Sequence, residues 1–364
     1  MSADIGEGHN SAGRALAEAM TRAWPGCQVG WLDALAAMGP PFAAAARAFY
    51  VSQVQHLPWM YEFFFSAMWR HRWYLDLARR GLGAAFGRRM APRIRALRPD
   101  VIVSTYPLAS AGLSWLRRHG QLPMPAGAWV PAFCPHPSWL YRDLDITYVM
   151  HPAAVTVAAR AEPGLPVVAG ALPVRDAFAP AAPAAARARL GLPVGRFVAA
   201  VCPGSMALGR VDRAVTAVLA SGPDVQAVVI CGHNATLRER LTARGEPASR
   251  LHVVGWTDDM PGWMTAADVV VTNGGGGTAL EAVRSCRPVV MFEPIAGHGR
   301  ANATLMASAG LAQLAPSPDE LSAIIRRLAG DPALGPRQAG QALADTGRRR
   351  REDDLADLVA MRVP

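Results

Sequence analysis

The chain is predicted to be a doubly wound α/β protein made of two Rossmann-like domains, and three observations predict it. Short apolar or β-branched runs alternate with helical stretches rich in Ala, Leu and Arg. A linker-like segment, Ala179 to Pro183, separates those runs into two sets. The 364 residues, at roughly 100–200 residues per domain, suit two domains.

The first set of runs includes Val101-Ile102-Val103 and Ala128-Trp129-Val130, and it closes on Leu172-Pro173-Val174-Arg175. The second includes Phe197 to Val201, Val228-Val229-Ile230, Val269-Val270-Val271 and Val289-Val290-Met291-Phe292. Continuous apolar runs of this length fit strands buried on both faces, as in a parallel sheet, and their alternation with helices fits doubly wound units. The boundary is placed near residue 176, giving domains 1–175 and 176–364. Past Pro316 the chain reads as helices, and a return of the last helix to the first domain is compatible with this pattern. The run Arg348 to Arg351 followed by Glu352-Asp353-Asp354 is expected to be a solvated helix surface.

Half of the residues are hydrophobic and under a fifth are charged, so each half can bury a core. The net charge of +9 allows nucleic acid, an anionic membrane or a phosphorylated substrate as partner. The same Arg-rich, Lys-poor usage also follows from a GC-rich genome. Five scattered cysteines without a CxxC or zinc spacing read as reduced thiols of a cytoplasmic protein. Met1 to Gly13 lacks the apolar core of a signal peptide. The stretch His119 to Tyr141 has no Asp, Glu, Lys or Arg, but its five prolines exclude a single spanning helix. Residues 40–95 interleave aromatic residues such as Trp59, Phe63, Phe64, Trp69 and Trp73 with Arg70, Arg72, Arg79, Arg80, Arg88 and Arg89. That mixture suits a membrane interface; an ordinary buried helix is the alternative.

Four segments carry chemistry. In Gly6-Glu7-Gly8-His9, glycines before an Ala-rich helix form a tight turn, and the His9 imidazole at the helix mouth can take a proton from a hydroxyl near neutral pH. In Asn273 to Ala282, four glycines follow a strand and Thr278 is expected to open a helix. The amides of Gly275, Gly276, Gly277 and Thr278 would form an anion nest with a helix dipole behind it, suited to a diphosphate. Glu281, one turn in, can accept hydrogen bonds from ribose hydroxyls. Cys202 to Gly209 offers a second phosphate-facing loop, with Ser205 donating. Gly255 to Met260 can present backbone groups to a base edge. Asp258 and Asp259 precede Met260-Pro261 and read as helix caps, so no metal is expected. Neither a Walker loop nor a GxGxxG fingerprint with its acidic residue is matched, which disfavours a plain ATPase or dehydrogenase.

In their order along the chain these motifs resemble glycosyltransferase family 28, which includes monogalactosyldiacylglycerol synthases and processive diacylglycerol glucosyltransferases. Pro99 to Pro107, Phe133 to Trp139, Gly170 to Arg175 and Pro294 to His298 add to the resemblance. It implies a GT-B fold, two Rossmann-like domains facing a cleft, and an inverting reaction without a metal or other cofactor. The UDP-sugar would lie in that cleft, on the C-terminal domain. By the same resemblance His9 matches the general base, beside Gly8. Arg175 and Ser205 match donor-phosphate contacts, Trp256 and Thr257 the uracil site, Glu281 the ribose ligand, and His298 and Asn302 the loop facing the sugar hydroxyls. The implied partners are the UDP-sugar, a lipid acceptor such as diacylglycerol and an anionic membrane surface, with no nucleic acid. The protein would then be cytoplasmic and peripherally membrane-associated.

This chain departs from the family in three places. The sugar-facing loop, usually "G-Q-E", reads Gly297-His298-Gly299-Arg300-Ala301-Asn302 and lacks the carboxylate. Ala132 stands where "T-D-F" has its aspartate. Only three residues precede Asp4, fewer than a complete first strand, so an upstream start is expected. Rival readings are a soluble-acceptor glycosyltransferase, a UDP-N-acetylglucosamine 2-epimerase and a non-catalytic UDP-sugar or lipid-binding homologue.

Overall fold

The computed structural model describes residues 1–193, 195–274, 276–346 and 349–361. Two compact units divide the chain. One holds Met1–Arg175 together with Thr346–Pro364, and the other holds Asp176–Asp345.

In the first unit, helices α1 (Glu7–Ala23), α2 (Ala34–Ala37), α3 (Pro40–His56), α4 (Pro58–Arg70) and α5 (Arg72–Leu97) precede strand β1 (Ile102–Ser104). Then come α6 (Pro107–Arg118), β2 (Ala126–Trp129), β3 (Ile146–Val149), α7 (Pro152–Ala161) and β4 (Val167–Ala169). The four strands form a parallel sheet in the order β1-β2-β3-β4. Residues 1–3 extend it: the Thr105 amide donates to the Met1 carbonyl at 2.9 Å, and the Ser2 amide donates to the Leu32 carbonyl at 3.0 Å. Prolines at the first turns of α3, α4, α6 and α7 start these helices where a missing N–H costs nothing. Phe86, Met90 and Ile94 of α5 pack with Leu113, Leu116 and Ile102 in the core.

The second unit contains α8 (Pro183–Arg189), β5 (Phe197–Val201), α9 (Val211–Leu219), β6 (Val225–Ile230), α10 (Ala235–Thr242), β7 (Leu251–Val254), α11 (Met260–Ala266) and β8 (Val269–Thr272). It continues with α12 (Gly276–Arg284), β9 (Val289–Phe292), α13 (His298–Ser308), β10 (Gln313–Ala315), α14 (Pro318–Gly330) and α15 (Leu334–Thr346). Its six parallel strands run in the order β10-β9-β8-β5-β6-β7. The fold class read from the apolar runs is therefore the one observed: two parallel-sheet, Rossmann-like units. The strand order reverses between β8 and β5, and a ligand crevice is expected outside the carboxyl ends of those two strands.

The final helix, α16 (Arg351–Ala360), belongs to the first unit. Its acidic and basic stretch does not form the solvated surface expected from sequence. Arg351 is buried and Asp354 is 0% exposed. The Asp354 carboxylate accepts from the Ala171 amide at 2.6 Å and from Arg349 Nε, while Tyr148 Oη donates to the Asp354 carbonyl at 2.5 Å. Arg348 lies outside the described residues. Among the described residues no helix is long and apolar enough to cross a membrane.

Candidate nucleotide-sugar site

Three loops meet at the carboxyl ends of the strands flanking the switch point in the second unit. Asn273, just past β8, ties them together. Its Nδ2 donates to the Leu208 carbonyl at 2.7 Å, and its own carbonyl accepts from the Ile295 amide at 2.9 Å. Gly209 makes the first of these contacts possible: its φ is +87°, and a β-carbon there would lie 2.6 Å from Asn273 Nδ2. Ser205 is joined to a fourth loop, since its carbonyl accepts from the His233 amide at 2.9 Å. A β-carbon at Gly232 would collide with that carbonyl, so only glycine permits the approach.

The expected nest at the end of β8 is a helix terminus. The helix opens at Gly276, two residues earlier than Thr278, so Gly276, Gly277 and Thr278 form the first turn of α12. First-turn amides of an α-helix have no intrahelical acceptor, and these sit at the positive end of the helix dipole. The physical reason for the earlier start is that glycine weakens helix interiors but is well tolerated at N-termini. Gly275 lies outside the described residues. Glu281 is one turn further on and half-buried. Burial, followed by the Glu281 charge, pushes the Cys202 thiol up to about 12, which places that carboxylate close to the end of β5.

Trp256 is 45% exposed and stacks on His233, with ring centroids 4.0 Å apart and an interplanar angle of 12°. Its indole donates to Asp258 Oδ1 at 3.3 Å. Thr257 Oγ1 accepts from the Asp259 amide at 3.1 Å, and Asp259 caps α11 by accepting from the Gly262 amide at 3.0 Å. His298 is the first residue of α13. Loss of hydration pulls its pKa down to about 4, so the imidazole is neutral at pH 7. Asn302, one turn into α13, is 0% exposed. Glu293, in the same loop cluster, has φ +42°, uncommon outside glycine and costly for a side chain of this size. Its Oε1 pairs with Arg213 at 2.8 Å.

In the first unit, Gly8 and His9 lie within the first turn of α1, which starts at Glu7, so the turn itself is made earlier, at Gly6. Gly8 is exposed and His9 half-buried. His9 Nδ1 lies 2.7 Å from the Thr105 carbonyl oxygen, and Thr105 Oγ1 donates back to the His9 carbonyl at 3.0 Å. A carbonyl can only accept, so Nδ1 carries the proton and Nε2 holds the basic lone pair. Tyr106 meets the ring edge-on at 5.1 Å, and Trp139 lies at 5.6 Å. The same reasoning fixes His136: its Nδ1 accepts from the Ser138 amide, so Nε2 donates to the Phe65 carbonyl at 3.0 Å and ties the 133–139 loop to α4. Arg175 closes the first unit. Thus Ser205, Trp256 and Thr257 lie on loops, Gly276, Gly277, Thr278 and His298 in the first turns of α12 and α13, and Glu281 one turn further into α12, all following strands of one sheet, while Gly8, His9 and Arg175 belong to the other unit. His233, Asn273 and Glu293 were not singled out from sequence. The one available signal was the Gly232-His233-Asn234 turn directly after β6.

The α3–α5 segment has an unusual surface. No residue of α4 is fully buried, and Trp59, Phe63 and Trp73 are 69%, 64% and 69% exposed. Arg70, His71 and Arg72 lie among them in sequence, Arg80 follows, and all four are exposed as well. The reading of this stretch as an ordinary buried helix fails for α4.

Known proteins align with both units. The monogalactosyldiacylglycerol (MGDG) synthase family model matches residues 9–162, and the glycosyltransferase family 28 C-terminal domain model matches residues 202–330. A processive diacylglycerol beta-glucosyltransferase of Bacillus subtilis (strain 168) is 24% identical over 259 residues, covering 67% of this chain and 64% of that protein. The enzyme of the same name from Staphylococcus aureus (strain Newman) is 30% identical over 117 residues, 32% of this chain and 30% of that protein. The match thus spans less than two thirds of either relative. The crystal structure of the glycotransferase of kitacinnamycin has a TM-score of 0.54 at 20% identity, covering 78% of this chain and 81% of that one. Anabaena Alr3699/HepE in complex with UDP has a TM-score of 0.54 at 17% identity, covering 76% and 82%. These solved structures share the fold, which is GT-B. The two family models together reach from residue 9 to residue 330, and the chain belongs to glycosyltransferase family 28.

Proposed function

We propose that this protein is an inverting, metal-independent glycosyltransferase that moves a sugar from a UDP-sugar to a lipid acceptor such as diacylglycerol. The observation that carries the donor half is the first turn of α12 at the switch point, with Glu281 one turn behind it. A diphosphate there meets the amides of Gly276, Gly277 and Thr278 and the helix dipole. Trp256 and Thr257 present a ring face and a backbone edge to the base, and Glu281 accepts from the ribose hydroxyls. Neutral His298 offers a hydrogen bond to a sugar hydroxyl in the loop where the family carboxylate is absent.

In the reaction, His9 Nε2 takes the proton of the acceptor hydroxyl as its oxygen bonds to the anomeric carbon. The bond from that carbon to the UDP oxygen breaks, and direct displacement inverts the anomeric centre. Charge grows on the leaving UDP, and the helix-terminal amides, Ser205 and Arg175 stabilise that charge more in the transition state than before it. The relatives' names supply diacylglycerol as acceptor, and the exposed rings of α4 with their flanking arginines suit a docked, anionic membrane surface.

The test is a panel of UDP-sugars incubated with dispersed diacylglycerol and scored by UDP release and product mass. The expected outcome is one UDP-sugar giving a glycosyl-diacylglycerol of inverted configuration. UDP binding without release from any sugar would instead identify a non-catalytic homologue.

A further inference from the structure

The opposite edge of the same six-stranded sheet also holds a cavity. Its walls come from the amino ends of the strands: Phe197 opens β5, Asp268 precedes β8 and Pro288 precedes β9. Leu328 and Ala329 of α14 and Pro336 of α15 close the other side. The cavity volume is about 480 Å³, within the roughly 300–1,000 Å³ usual for small-molecule sites. Most of the lining is proline, alanine and leucine.

One end is polar and bears a net positive charge. Asp268 there is already matched: its Oδ2 pairs with Arg187 at 2.6 Å and accepts from the Val198 amide at 2.7 Å. Arg287 is different. Its Nε and Nη2 donate to the Met264, Ala181 and Thr265 carbonyls at 3.2, 2.7 and 2.8 Å, which fixes the guanidinium with Nη1 as the remaining nitrogen. Carbonyls orient a guanidinium without neutralising it. Partial loss of hydration holds Arg287 below the usual arginine range against the opposing charge of Asp268, the carboxylate that Arg187 already pairs with, so one carboxylate stands against two guanidiniums. Beside it Ser285, 1% exposed, has a buried hydroxyl with no hydrogen-bond partner. Buried hydroxyls are almost always bonded, so this one calls for a ligand group.

We infer that this cavity binds a small amphipathic carboxylate, with the carboxylate on Arg287 and Ser285 and an aliphatic body against Phe197, Pro288, Leu328 and Ala329. A charged acceptor satisfies both the guanidinium and the hydroxyl through charge-assisted bonds, and an apolar tail takes the rest of the lining out of water. The site lies at the amino edge of the sheet, whereas α12 begins at the carboxyl edge, so it stands independently of the transferase reading.

The test is calorimetric titration of the full chain with octanoate, octanol and acetate, with amide NMR to locate binding. Octanoate is expected to saturate below about 1 mM. Octanol should bind about tenfold more weakly for want of the charge-assisted bonds, and acetate should not saturate. Shifts should appear at Ser285, Ala329 and Gly335 and not at Gly276 to Thr278. Ala329→Phe should abolish binding by filling the cavity, and Ser285→Ala should weaken it several-fold. Octanol as tight as octanoate, acetate as tight as octanoate, no saturation at all, or full affinity in Ala329→Phe would each overturn the proposal. The three wild-type titrations decide even if the Phe variant fails to fold.

Discussion

His9 Nδ1 is held by the main-chain carbonyl of Thr105, which sets the tautomer of the neutral ring. On the proposed role of His9 as general base, His9→Ala should lower turnover by roughly 10²–10⁴-fold while leaving the affinity for UDP unchanged. Near wild-type turnover would remove it from the mechanism. Glu281, proposed as the ribose ligand, is a different case, because such a contact holds ground state and transition state alike. Glu281→Ala should therefore raise the KM for the UDP-sugar with little change in kcat, measured at saturating acceptor. The sequence singled out His9 because a histidine opening an Ala-rich helix is an uncommon choice; the structure places it in the first turn of α1. His233 was not: its stacking on Trp256 joins the ends of two neighbouring strands, and such a contact between loops leaves no periodic trace. Asn302 was placed by its motif in the loop facing the sugar hydroxyls; in the structure it lies one turn into α13 and is buried.

At the scale of elements, α5 is held against the rest of the first unit by a charged cluster. Glu162, almost wholly buried, accepts from Arg79 at 2.9 Å and pairs with Arg142 at 2.7 Å and Arg72 at 3.4 Å. Arg79 also donates to the Pro137 and Leu140 carbonyls at 2.7 and 2.6 Å. Burial alone would raise the Glu162 pKa, but the hydrogen bond and charge of Arg79, helped by Arg72 and Arg142, outweigh it and hold the carboxyl below its ordinary value. A lowered carboxyl pKa gives stability that is fully present above the unfolded value, ordinarily about 4.3, and is lost as pH falls through the folded value. Glu162→Gln leaves the arginines uncompensated and should cost about 3–5 kcal/mol near neutrality. The difference from wild type in urea unfolding should shrink below about pH 4; a pH-independent difference would rule out the charge as its cause. The elements themselves were legible to different degrees. β5, β8 and β9 were visible because they are buried on both faces and so read as unbroken apolar runs. β4, with a partly exposed pattern and three residues, gave no such signal.

For the molecule as a whole, the proposed membrane surface rests on the charge of +9 and the exposed rings of α4. Sedimentation with liposomes should require anionic lipid and weaken as salt is raised from about 0.1 to 0.5 M, since exposed charges are screened over roughly 10 Å at the lower value. Trp59→Ser with Phe63→Ser should reduce binding even at low salt, because the apolar contribution is lost. Binding indifferent to lipid charge and to both rings would point to a soluble acceptor. The two-unit α/β architecture was legible from the alternation of apolar runs and helices. The charged stretch near the end was misread, because a buried Asp354 bonded to Arg349 and to the Ala171 amide looks, in sequence, like any solvated acidic turn.

That last contact bears on how the protein is made. Gly127 of β2 lies against Leu358, and Tyr148 and Ala171 bond to Asp354, so the unit that leaves the ribosome first waits for α16 before its sheet is sealed. The intervening unit, contiguous in the chain from Asp176 to Asp345, has every strand it needs beforehand. Synthesis therefore runs against the order of completion: the earlier half stays open on one side until the later half has been translated and a returning helix fills the gap.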